Sequence, residues 1–472
     1  MSDMPVTFAG EGRLIEPGGS RVHADPGTAG AGADGSGRAA AASAPRSALR
    51  IVLDADSFAF ELGGQYRHAA YRDLATVAVQ AGSVLLALGP SPGASRLMCE
   101  RFGEQLGRLV TELRERRLRQ RLADRFIELP ADKAIELVEY EATTGKPGVA
   151  QLAYHDRGFV LAPLDERQPW QSVPRGRIGR ADLLPDVGGL QVDVLDGLPV
   201  RLLRLGPSAV RHGQAMTALR DAALADAAAL VEALIADAPF EARDRAAALL
   251  VDGRPADLDT LAPAWAPLEA AVLAEPTFAE SYRALVAKAG GASSRRWLAI
   301  APEQPGSPQL RAWFLIALPG NLLAMELVSE GAHATYCFRV LPRASYAGQA
   351  PVAMRPAFDG AVASISQTLV DIRFLREPIG LPDAALASPD YLRYRLAIAE
   401  LPSLAEARRH FVARIVHATG WAAALDDLLA WHGACRDDAA IWPGRAAQET
   451  TIMGLAVGMA APPTSGPAVG AG

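Results

Sequence analysis

Lysine is almost missing from this chain. Lys133, Lys146 and Lys288 are the only three, and arginine supplies the other 44 of 47 basic residues. With 43 glycines and 34 prolines, that bias reads as genome composition, so arginine at any one position says little by itself. Cysteine is equally scarce: Cys99, Cys337 and Cys435 lie far apart with no C-x-x-C pair, which excludes a disulfide framework and a Cys-rich zinc module. Basic charge is not in excess. A formal net charge of −6 and a pI near 5.8 argue against a general DNA or RNA partner. The N-terminus lacks a basic region followed by an apolar one, so no secretory signal is expected. The most apolar window, Ala312 to Val328, is interrupted by Pro319-Gly320-Asn321. That is turn chemistry, and it predicts two buried strands instead of a membrane-spanning helix. These absences point to a cytoplasmic chain, peripheral to a membrane at most.

Catalytic signatures are absent too. There is no H-E-x-x-H, no Walker loop, no kinase signature and no isolated pair of carboxylates. Two near matches fail on context. Gly30-Ala-Gly32-Ala-Asp-Gly35 spells the dinucleotide fingerprint but sits in Gly/Ala-rich sequence without the strand and helix that fingerprint needs. Gly89-Pro-Ser91-Pro-Gly93 spells a nucleophile elbow, but Pro92 has no N–H to offer an oxyanion hole, and the segment reads as a hairpin turn. Glu406, His410, Arg414 and His417 fall near one face of a predicted helix over 404–419, with His432 on the next. His410 and His417 are about 10.5 Å apart along such a helix, too far for one ion. Glu330 and His333 flank a turn and specify nothing alone. No metal, no cofactor and no catalytic residues are expected, and the chain reads as a non-enzyme.

What is present is a repeat. Residues 1–47, rich in Gly, Ala, Ser and Pro, read as a disordered tail unable to offset its ordering entropy. Strands are then expected at Arg50–Asp54, Ser57–Leu62, Tyr71–Val77, Val84–Leu88 and Ser95–Cys99. A long helix follows from about Glu104 to Arg125, with Leu106, Leu109, Val110 and Leu113 on one face. The programme recurs: strands over Glu136–Glu141 and Val149–Leu161, a hairpin of Leu190–Leu195 and Pro199–Leu205 around Asp196-Gly197, then a helix carrying Met216, Leu219, Ala223, Ala227, Leu230 and Leu234. Aligning Phe102-Gly103 with Leu205-Gly206 superposes the two at an offset of 103 residues.

A strand meander ending in one helix, with Tyr71-Arg-Asp-Leu…Val77 before the last hairpin, resembles the bacterial pleckstrin-homology-like (PH-like) domain. The resemblance covers 48–125 and 131–236. It implies two packed antiparallel sheets capped by a helix, serving as a binding module. The expected class is α+β: tandem PH-like domains and a C-terminal α+β region. The remaining segments are a helical connector over 237–292, a strand meander plus helix over 293–377, C-terminal helices over 378–445 and a mostly flexible tail over 446–472. The 293–377 unit is either a third copy or a separate α+β domain. Within the tail, apolar Thr450–Ala461 is too short to span a bilayer.

The strongest charge feature lies on the first helix. Eight arginines stand against four acids between Arg101 and Arg125. Arg114, Arg116, Arg117, Arg119 and Arg121 are the residues placed to meet an acidic partner or an anionic membrane surface, unless they form a solvated face supported by Glu112 and Glu115. No aromatic residue interleaves with them, which disfavours single-stranded nucleic acid. The basic cluster that would hold a phosphoinositide headgroup is reduced to Arg67 and His68 beside Tyr66. The expectation is an adaptor that meets an unknown protein or peptide partner through sheet edges and grooves. The alternatives are a peripheral membrane protein and an unrecognised enzyme with its site near the C-terminal region.

Overall fold

A computed structural model describes residues 5–15, 46–89, 95–125, 127–130, 132–141, 147–165, 168, 170–195, 197–291, 294–327, 334–341, 355–372, 376–417 and 421–434. The chain is mixed α+β with three antiparallel sheets. Two compact units divide it: Met1–His155 with Phe159–Ser172 and Arg201–Leu205, and Asp156–Gly158 with Val173–Val200 and Gly206–Gly472.

The first sheet has seven strands: β1 (Val6–Ile15), β2 (Ser47–Leu53), β3 (Ser57–Leu62), β4 (Gln65–Ala70), β5 (Leu74–Gln80), β6 (Ser83–Leu88) and β7 (Ser95–Glu100). Their order is β4-β3-β2-β1-β7-β6-β5. Helix α1 (Gln105–Asp124) follows, and its Leu109, Val110 and Leu113 join Phe8, Ile51, Phe58, Phe60, Tyr71 and Leu97 in one core. The tail expected over 1–47 is therefore corrected at its start. Residues 6–15 form the central strand, paired with β2 on one side and β7 on the other. Its glycines serve close packing. A Cβ on Gly12 would stand 2.5 Å from Leu49 Cδ2, and one on Gly10 2.5 Å from Phe102 Cδ2. Most of the remainder of that tail, like Gly30–Gly35, Pro90–Gly93 and Thr450–Ala461, lies outside the described residues.

The second sheet is built from β8 (Ile135–Glu141), β9 (Pro147–His155), β10 (Gly158–Pro163), β11 (Gln171–Pro174), β12 (Ile178–Leu184), β13 (Gly189–Val194) and β14 (Val200–Leu203). Its order, β11-β10-β9-β8-β14-β13-β12, is that of the first sheet strand for strand. Helix α2 (Ser208–Ile235) follows. The junctions before the two helices match down to backbone angles. Arg101 and Gly103 have φ of 55° and 54°, while Arg204 and Gly206 have 51° and 56°. Left-handed backbone at a residue with a side chain is uncommon, so its recurrence at a spacing of 103 is a repeat signature in its own right. Tyr71–Asp73, expected to begin a strand, forms a short 3-10 turn instead, and Arg175–Arg177 forms its counterpart before β12.

Four helices lead to the third sheet: α3 (Phe240–Leu249), α4 (Leu258–Leu261), α5 (Trp265–Val272) and α6 (Pro276–Lys288). That sheet is a meander, β15 (Ala256–Asp257), β16 (Arg296–Pro302), β17 (Leu310–Leu318), β18 (Asn321–Leu327), β19 (Ala334–Arg339) and β20 (Phe411–Val416), in sequence order. It does not reproduce the strand order of the first two sheets. The expected turn at Pro319–Asn321 joins β17 to β18 with Gly320 at φ 70°, and among the described residues no helix is long and apolar enough to cross a membrane. Phe314, Ile316, Leu323 and Met325 pack one face against α5, α6 and the end of α2. Between β19 and β20 come α7 (Arg355–Asp371), α8 (Glu377–Gly380), α9 (Asp383–Leu386), α10 (Leu392–Glu400) and α11 (Pro402–His410), and α12 (Trp421–Ala434) closes the described chain.

On the other face of that sheet, Trp313 donates through Nε1 to Ser366 Oγ of α7 at 2.6 Å. Glu326 accepts there from Arg376 Nε at 2.8 Å and from Arg311 at 3.4 Å, all three side chains being buried. Burial alone would raise the Glu326 carboxyl, but Arg376 and Arg311 outweigh it and hold the group below the ordinary carboxylate range.

Candidate strand-binding edge

A sheet offers a new strand only its edges, where backbone N–H and C=O groups lack a neighbour. The two repeated sheets have four edge strands: β4, β5, β11 and β12. Three of them are blunted. The register of β5 on β6 turns the backbone groups of Val77 outward, and Val77 O accepts from Arg114 of α1 at 3.1 Å. Arg117 donates through Nε to Leu74 O at 2.6 Å and through its terminal nitrogen to Ala75 O. In the second sheet β12 carries a register shift after Ile178, and Arg220 of α2 donates to Gly179 O at 3.4 Å. Strand β11 is four residues long and ends on Pro174.

Strand β4 is the exception. It has six residues, no proline, and four consecutive exposed positions from Gln65 to His68. The Gly63-Gly64 turn, with φ of 57° and 80°, closes its hairpin with β3 between Leu62 and Gln65. Because closing pairs exchange both hydrogen bonds and the pattern alternates, the backbone groups of Tyr66 and His68 point away from β3. Tyr66 is 68% exposed, the most exposed aromatic residue described on this sheet. His68 Nε2 lies 2.9 Å from Ser57 Oγ, which fixes the imidazole over β3. The edge therefore presents an open backbone ladder flanked by an aromatic ring, an imidazole and the Arg67 guanidinium.

The sequence places its functional arginines on α1, and the structure turns all five inward to intermediate burial. Arg116 donates to Asp54 O at 2.7 Å and to Glu112 at 3.3 Å. Arg119 reaches Glu115 and the carbonyl of Pro130, both at 2.9 Å. Arg121 stacks over Trp170 at 4.1 Å, and Arg125 stacks over the same ring at 4.4 Å. Arg114, Arg117 and Arg121 line one small cavity with Gln151 and Trp170, while Arg116 and Arg119 do not reach it. Glu112 and Glu115 pair with Arg116 and Arg119 at i,i+4, the support a solvated face would use, while Arg114, Arg116 and Arg117 also reach the carbonyls of Val77, Asp54 and Leu74.

The histidine grouping is corrected. The helix expected over 404–419 ends at His410, and Phe411–Val416 continues as β20, since its β-branched run pairs with β19. His410 lies 2.7 Å from Glu406, while His417 lies 2.7 Å from Thr335 Oγ1 and stacks on Trp421, so the two imidazoles serve separate contacts. Among the described residues no group of three His, Cys, Asp or Glu side chains could hold a metal ion. Glu330 and His333 lie outside them, and so do the side chain of His432 and all of Cys435.

The sequence reading passed over β4. Its signal was the Gly63-Gly64 pair directly after the alternating Phe58, Phe60 and Leu62, which marks a hairpin and so demands a returning strand. Comparison with family models finds none that matches the chain, and no curated protein matches it either.

Proposed function

We propose that this chain is a cytoplasmic, non-enzymatic adaptor whose first two sheets are tandem PH-like modules, and that it takes a peptide segment of a partner as an added strand on β4. The observation that carries this reading is the asymmetry of the edges: β5, β11 and β12 are capped, short or bulged, and β4 alone among the four is open and exposed. Strand addition draws affinity from main-chain bonds to Tyr66 and His68, and selectivity from side chains beside Tyr66 and Arg67. A membrane-contacting role for α1 is less favoured, because its arginines would first have to release the carbonyls of Asp54, Leu74 and Val77.

The test is selection of binders from a displayed random-peptide library on the full chain, followed by hydrogen–deuterium exchange with and without the best peptide. Protection confined to 65–70 is expected. The substitution His68→Pro should weaken binding more than tenfold without shifting the thermal midpoint, because the N–H it removes does not bond β3. Protection elsewhere, or unchanged binding by His68→Pro, overturns the reading. So does salt-sensitive flotation with anionic liposomes that is lost on charge reversal of Arg116, Arg117, Arg119 and Arg121.

A further inference from the structure

Helices α5 and α6 lie side by side over the third sheet and leave a groove of about 550 Å³ between them and the start of β16. That volume is in the range of small-molecule sites. Its walls are apolar and small: Ala266, Ala270 and Leu273 from α5, Val286 and Ala287 from α6. Three polar side chains converge on its floor. Tyr282 donates to Glu269 Oε1 at 2.5 Å, and Arg296 donates to the same oxygen at 2.9 Å and to the tyrosine oxygen at 3.0 Å. The Arg296 guanidinium also lies 5.6 Å over the Trp265 ring. Its side chain is 12% exposed, and a guanidinium is the donor best matched to a carboxylate. Glu269 neutralises one positive charge on the floor, and Arg283 stands exposed at the mouth with a second.

An apolar trough ending in an arginine donor, with one net positive charge around it, is complementary to a molecule with a short hydrocarbon body and a single anionic head. We propose that this groove binds a small apolar carboxylic acid of medium-chain length, its chain along Ala266, Ala270 and Val286 and its carboxylate against Arg296 and Arg283. The site is separate from β4 and does not depend on the strand-addition reading.

Titration calorimetry of the full chain with octanoate, and in parallel with octanol, tests it. Saturable one-to-one binding of octanoate is expected, with octanol at least tenfold weaker. Ala270 is exposed in the groove, so Ala270→Trp fills the trough without entering the core and should abolish binding at an unchanged thermal midpoint. Arg283→Gln should weaken octanoate about fivefold and leave octanol unchanged. Equal binding of acid and alcohol, persistence of binding in Ala270→Trp, or no binding of octanoate by the intact chain each overturns the proposal.

Discussion

Arg117 and Arg220 stand 103 residues apart and make the same contact in the two repeats. Each reaches from the helix that follows its sheet to a carbonyl near the start of the edge strand, Ala75 in β5 and Gly179 in β12. Those carbonyls are second in their strands, so the two arginines occupy equivalent positions. The helix charge that looks like a partner-binding surface is, at this position, a device that closes a sheet edge.

Removing that device should expose the edge. Arg117→Ala deletes charged donors to two carbonyls and is expected to lower stability by about 1.5–3 kcal/mol. Denaturant unfolding measures the loss. Sedimentation velocity should show concentration-dependent self-association in the variant and none in the parent, and an Arg220→Ala variant should show the weaker form of both effects.

The first strand yields a second expectation. A methyl on Gly12 would lie 2.5 Å from Leu49 Cδ2 and 2.8 Å from the Met98 carbonyl, which is backbone and cannot swing aside. Gly12→Ala should cost about 1–3 kcal/mol by overpacking. Gly107→Ala is the control, because nothing lies within 4 Å of a Cβ there. A lowered denaturation midpoint in the first variant, against an unchanged or raised one in the second, is the expected outcome, since Ala in a helix is about 0.5–1 kcal/mol better than Gly.

Glu326 is a carboxylate that the buried guanidinium groups of Arg311 and Arg376 share. Glu326→Gln leaves two buried cations without the charge they share and should destabilise by about 3–5 kcal/mol. Replacing all three residues by apolar side chains of similar volume should recover most of that, as equilibrium unfolding of the triple variant would show.

Asp371, at the end of α7, carries a pH dependence. Burial pushes its carboxyl from the ordinary 3.8 up to about 6, against bonds from Gln367 at 2.7 Å and Ser403 at 3.1 Å. Between those values the native state holds a proton that the unfolded chain has lost. The contribution of this group is therefore fully present below 3.8 and is lost as the pH rises through about 6. Asp371→Asn should match the parent near pH 3.5 and exceed it by at most about 3 kcal/mol at pH 7. Thermal midpoints of both proteins across that range give the difference directly.

Much of this fold was legible because long helices announce themselves. Leu109, Val110 and Leu113 recur at helical spacing and are buried as that spacing demands, and Pro319-Gly320 marks the turn it forms. The strands that were missed lack an apolar pattern. Only Phe8 among the large side chains of β1 is fully buried, because that strand lies where its glycines let neighbours close in. Strand β4 is polar over its four exposed positions, Gln65 to His68, and so shows no apolar alternation. The segment 404–419 reads as one helix until β19 offers Phe411–Val416 a ladder, a long-range choice that local periodicity does not contain. The roles of the α1 arginines were hidden for the same reason: residues more than 35 positions away supply the carbonyls for Arg114, Arg116 and Arg117.

The register of β1 on β2 has a topological consequence. Gly12 faces Ser47 across the ladder, while residues 13–15 run on beside β7 alone, so β2 holds the first part of β1 and β7 its end. A cut between Ile15 and Arg46 would not release β1, which two neighbouring strands hold without covalent help. The first sheet can thus be assembled from two polypeptides, and residues 1–15 supplied as a separate peptide should dock into a chain that begins at Arg46.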